Sequence, residues 1–189
     1  MTSHQNANQI SGRAIGALFF TAFGALWLML SLYARETLSV ATVTGVLLGV
    51  VALAWNAIYL LRAARRLPRA ADDPRVGRIF AWVNGIQWIA CFVAAFALGK
   101  LHLDAYVPSA ITAIVGLHFF PLARLFRYPL HHVTGAMLVA WSALSSLAVP
   151  TAELQGIAAA GTGLILWLSA LVTLGVALHL VRKPVRQLA

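Results

Sequence analysis

Apolar runs of about 20 residues recur from Arg13 to the end of the chain, each flanked by arginine or lysine. A run of that length crosses the hydrocarbon of a bilayer as a helix, because lipid offers no partner for an exposed backbone N–H or C=O. This pattern leaves little else for the chain to become. Hydrophobic residues make up 61% and charged residues 10%, too little polar surface to cover a soluble core. The predicted fold is therefore all-α, a polytopic transmembrane bundle of six helices.

The first span follows Arg13, "AIGALFFTAFGALWLMLSLYA". It exceeds a signal-peptide core, and no small-x-small cleavage site follows, so it reads as a retained helix. The others are expected over Val40–Leu61, Ile79–Leu98, Tyr106–Ala123, Val133–Val149 and Glu153–Val181. The fifth is the shortest, making five spans the rival count. Residues 1–12 read as a polar tail, 13–183 as one transmembrane domain and 184–189 as a second tail. Hairpins ending at Arg62, Arg124 and Arg182 are compatible with a threefold arrangement of helical pairs.

Charge sets the orientation. Twelve basic residues fall on one side: Arg13, Arg62, Arg65, Arg66, Arg69, Arg75, Arg78, Arg124, Arg127, Arg182, Lys183 and Arg186. Only Arg35 and Lys100 fall on the other. The positive-inside rule then places both termini in the cytoplasm. The net charge of +9 is matched to anionic lipid headgroups rather than nucleic acid, since the cations sit at the ends of apolar segments. Glu36, Asp104 and Glu153 gather on the opposite side, where Thr151 and Glu153 suit a helix start.

Apart from Glu153 at the very start of the sixth, no carboxylate and no lysine lies within a predicted span, which argues against a proton-coupled transporter built on a buried acid. The spans instead carry Asn56, Asn84, Gln87, His118 and, near an end, His179. Asn56 precedes Arg62 by six residues, Asn84 follows Arg78 by six, and His118 precedes Arg124 by six. Each thus lies roughly 9 Å from a basic-side arginine, and the three share one level. Asn84, Gln87, Trp88 and Cys91 fall on one helix face. Pro121 cannot donate to the carbonyl of Leu117, so a kink beside His118 is expected to free an acceptor. A polar layer of Asn56, Asn84, Gln87 and His118, walled by Tyr59 and Trp88 and opened by Pro121, is the candidate pathway.

Three readings follow. The leading one is a small-solute facilitator, channel or transporter, with a small polar solute as partner. The alternative is a non-catalytic scaffold or accessory subunit in which the same amides and imidazole only join helices. The third is a haem-binding membrane protein, which would need two facing histidines among His118, His179, His131 and His132. No nucleophile motif, phosphate loop or zinc pattern is present, so neither an enzyme nor a cofactor or metal is expected. Lone Cys91 reads as a small core residue. Gly12 with Gly16 and Gly45 with Gly49 form small-xxx-small pairs suited to close helix approach, within the bundle or in a homo-oligomer. Trp82 and Trp167 read as interface anchors.

The segments "IVGLHFFPLARLF" and "HHVTGAML", within residues 107–137, resemble a motif of uncharacterised bacterial multi-pass inner-membrane proteins carrying a GLHFFPLA-type sequence. The resemblance implies a bacterial inner-membrane setting and no particular activity.

Overall fold

The structure, a computed structural model, describes residues 3–67, 71 and 73–182; of residues 3–6 and 182 it defines the backbone alone. Six helices follow in order: α1 (Ser3–Ala34), α2 (Val40–Ala64), α3 (Pro74–Lys100), α4 (Val107–Leu125), α5 (Leu130–Ala148) and α6 (Thr151–Arg182). A 3₁₀ turn over Asp104–Tyr106 leads into α4. Five helices are long and apolar enough to cross a membrane; α5 is the exception. Two histidines and several hydroxyls lower its hydropathy. It is nonetheless coextensive with α4, pairing Ser145 with Ser109 at one end and His131 with Phe119 at the other.

Local signals fix the helix ends. Ser39 and Thr42 form a reciprocal capping box at α2. Asp73 accepts from the Arg75 N–H at α3, with Pro74 in the first turn. Three hairpin turns each place a non-glycine residue in the left-handed region: Glu36, His102 and Arg127. In the α4–α5 turn the Tyr128 N–H reaches the Ala123 carbonyl over 3.0 Å, a Schellman closure around Arg127. Residues 68–70, 72 and 183–189 lie outside the described residues, and with them the expectations for Arg69, Lys183, Arg186 and the C-terminal tail.

α6 is the central helix, packed against α1, α2, α4 and α5. Its most extensive partner is α1, while α4 and α5 form the second large interface. α1 and α6 run antiparallel, Thr21 meeting Trp167 and Ser31 meeting Gly156. The start of α1 and the end of α6 therefore share one end of the bundle. Successive pairs α1–α2, α3–α4 and α5–α6 each pack, as hairpins should. α3 leans on α4 and η1 alone, with only Cys91 buried.

Several expectations are corrected. Residues 3–12 are no tail: α1 starts at Ser3, and Ala7 and Ile10 are buried. They fall on the helix face that carries Ala14 and Ala17 into the core. Nothing approaches Gly12, Gly16 or Gly45. The close approaches occur elsewhere: a methyl at Gly135 would sit 2.6 Å from the Gly116 carbonyl, and one at Gly163 would sit 2.8 Å from the Gly24 carbonyl. Trp167 is no interface anchor but a wedge between α1 and α2, against Gly24 and Gly49. Trp82 faces outward.

Candidate functional site

Helix order decides which polar residues meet. α2 packs on α1 and α6, whereas α3 packs on α4, and no substantial interface joins α2 to α3. Asn56 is thus removed from the other members of the expected layer. Its amide donates to the Ala52 carbonyl of its own helix over 2.9 Å. With Trp55 and Tyr59 it lines a shallow groove against Leu178 and Val181 of α6, and Tyr59 is exposed. One level does not make one site.

The rest of the layer is closer together. Asn84 and Gln87 are half-buried on the α3 face that also carries buried Cys91. His118, half-buried on α4, interacts with the backbone of Val83, the neighbour of Asn84. Trp88, at the edge of this face, is 45% exposed and tilted against Phe92. Pro121 sits inside α4 but is exposed, as is Leu117. The carbonyl that proline leaves without a partner belongs to that outer side, so the opening expected beside His118 is not formed there.

Two further groups of polar side chains occupy the bundle interior. The first is a seam of hydroxyls along α4, α5 and α6. Ser142 donates to the Ser109 carbonyl over 2.7 Å, and Ser109 and Ser145 lie 3.4 Å apart. Thr112 and Thr162 lie 2.7 Å apart, so that one hydroxyl donates to the other while the second donates to a carbonyl one turn back, that of Pro108 or of Ala158. Farther along, Thr134 and Ser169 lie 2.9 Å apart. The Gly116–Gly135 crossing separates these halves. A groove lined by Leu98, Leu103, Tyr106, Ser109, Ser142 and Ser146 opens on the outer half. Every hydroxyl of this seam has a partner, as helix glue requires.

The second group is different in kind. Among the described residues three buried side-chain polar atoms lack a hydrogen-bond partner: Arg13 Nη1, His118 Nδ1 and His131 Nδ1. All three belong to one aromatic cluster at the end where α4 turns into α5. The His131 ring lies 5.0 Å from Tyr128, 5.6 Å from Phe119, 5.9 Å from Phe20 and 6.4 Å from Phe126. His118 lies 5.7 Å from Phe119 and within electrostatic range of His131. The Arg13 guanidinium stacks 4.9 Å above the Tyr128 ring, whose hydroxyl donates to Thr173 Oγ1 over 3.4 Å. Four helices and one turn converge here.

A buried polar group without a partner is destabilising by about 1–3 kcal/mol, more when charged. Three in one cluster, beside a seam in which all hydroxyls are bonded, mark the place where a molecule other than the chain would supply partners. The cluster can offer a cation, two imidazoles and an aromatic wall. The sequence contains one signal for it: "RYPLHH" crowds Tyr128, His131 and His132 at the turn into α5. His179 is exposed on α6, away from this cluster's ring contacts. No group of three or more His, Cys, Asp or Glu among the described residues could hold a metal.

No protein-family model, no curated protein and no solved structure matches the chain.

Proposed function

We propose that this integral membrane protein is a small-solute facilitator, channel or transporter of the bacterial inner membrane, with both termini cytoplasmic. The solute is received at the basic end of the bundle, by Arg13, Tyr128, His131 and His118. The observation that carries this reading is the contrast between bonded hydroxyls along α4–α6 and unpartnered nitrogens at one end of them. The inner-membrane setting is supported by the basic asymmetry and by the resemblance of residues 107–137. No catalytic role and no cofactor is proposed.

The test is hydration. In a Cys91→Ala background, His118→Cys and His131→Cys should react with a small water-soluble thiol reagent. Ile89→Cys, exposed on α3, and Thr162→Cys, buried in the seam, should stay silent. Silence at 118 and 131 as well would sink the solute reading.

That result would leave a non-catalytic scaffold or accessory subunit. The Thr112–Thr162 pair, bonded across α4 and α6, favours it.

A further inference from the structure

Arg13 is a cation with no anion beside it among the described residues. α1, α4 and α5 contain no Asp or Glu, and α6 contains only Glu153, in its first turn. Glu153 is twenty residues from Thr173, or about 30 Å along the helix, so it cannot reach the cluster. Asp73, at the basic end, caps its own helix through the Arg75 N–H, and α3 does not pack on α1. Asp72 lies outside the described residues.

The chain therefore carries a partly buried guanidinium that no described carboxylate neutralises. Such a charge is costly unless paired. Contact with the Tyr128 ring offsets only part of that cost, about 0.5–2 kcal/mol. The buried Arg13 Nη1 has no hydrogen-bond partner, and a guanidinium N–H suits a planar or tetrahedral oxyanion. Tyr128 is held for this by its bond to Thr173. His131, next to Tyr128, adds an Nδ1 that no residue uses. Arg13 Nη1 can only donate, and an imidazole Nδ1 donates in one of its two tautomers.

We propose that the cluster of Arg13, Tyr128 and His131 is a binding site for a single oxyanion group, a carboxylate or a phosphate, with the Arg13 guanidinium as its counter-charge. This rests on the reading that the cluster receives a ligand, and it names the class. The same group could arrive on a soluble solute or on the headgroup of an anionic lipid.

The experiment uses the full chain in a neutral sugar detergent and in nanodiscs. Acetate and inorganic phosphate, compared with chloride at equal ionic strength, should raise the thermal midpoint of the wild type. Arg13→Gln should abolish that protection, and Arg13→Lys, which keeps the charge but not the fork, should weaken the apparent affinity roughly tenfold or more. Without any anion, Arg13→Gln should be at least as stable as the wild type, because it removes an unpaired charge; a purely packing arginine would show the reverse. If soluble anions do nothing but phosphatidylglycerol nanodiscs stabilise over phosphatidylcholine, and Arg13→Gln or Arg13→Lys diminishes the difference, the oxyanion is a lipid phosphate. Absence of both effects, or protection that persists undiminished in both variants, overturns the proposal. The thiol-labelling test separates the failures: labelled cysteines at 118 and 131 with no anion effect leave a solute site of another class, and silent ones remove the site itself.

Discussion

Trp167 of α6 donates its indole N–H to the Thr21 carbonyl of α1 over 3.1 Å, and the same ring fills the space left by Gly24 of α1 and Gly49 of α2. One side chain thereby ties three helices together. Small residues matter in membranes for this reason: with no hydrophobic drive between helices, close packing must supply the attraction.

Gly49→Ala should destabilise the bundle by about 1–3 kcal/mol, since the new methyl meets the far rim of the Trp167 ring, which its bond to Thr21 holds in place. Gly135→Ala should do the same at the α4–α5 crossing, where the obstacle is backbone. Gly45→Ala, with open space around it, should stay within about 0.5 kcal/mol of the wild type. Unfolding in mixed micelles measures all three. Equal effects at 45 and 49 would contradict the wedge.

The Thr112–Thr162 pair should behave as glue. Thr112→Val and Thr162→Val together should reveal a coupling of about 0.6 kcal/mol, and no more than about 1.7 kcal/mol, in a double-mutant cycle. Asn56→Ala should change stability by less, because its amide bonds within α2. A loss at Asn56 larger than at Thr112 would mean that Asn56 has a partner from another helix.

Ile10 is 1% exposed and Ala7 fully buried, so the first turns of α1 belong to the folded body. Ile10→Ala should lower stability by about 2 kcal/mol or more. Deletion of residues 1–11 should be worse still. A deletion variant that melts with the wild type would restore the idea of a dispensable tail.

Arg127 occupies the left-handed region, φ 49°, in the turn that sets Tyr128 under Arg13. Arg127→Gly relieves a conformation unfavourable to any residue with a Cβ, offset in part by the freer unfolded chain. A net gain of about 0.5–1 kcal/mol is expected in the same unfolding assay. A loss would assign the Arg127 side chain a role beyond the turn.

The apolar runs by themselves determined that this is an all-helical, multi-pass chain, because lipid forces each run to satisfy its own backbone. The constant rise of a helix gave Asn56, Asn84 and His118 one expected level by counting from arginines, and His118 does meet the backbone beside Asn84. Contact itself was not legible. Whether residues at one level meet depends on which helices are neighbours, and α6, placed centrally, separates α2 from the α3–α4 pair. The hydroxyl seam was silent in the sequence because a lone Ser or Thr in a span can always bond a carbonyl one turn back. Only antiparallel packing of α4, α5 and α6 aligns those hydroxyls across helices. Arg13 read as a flanking charge for the same reason: that it stacks on Tyr128 without a carboxylate follows from a turn more than a hundred residues away, a distance that local rules of helix formation do not cross.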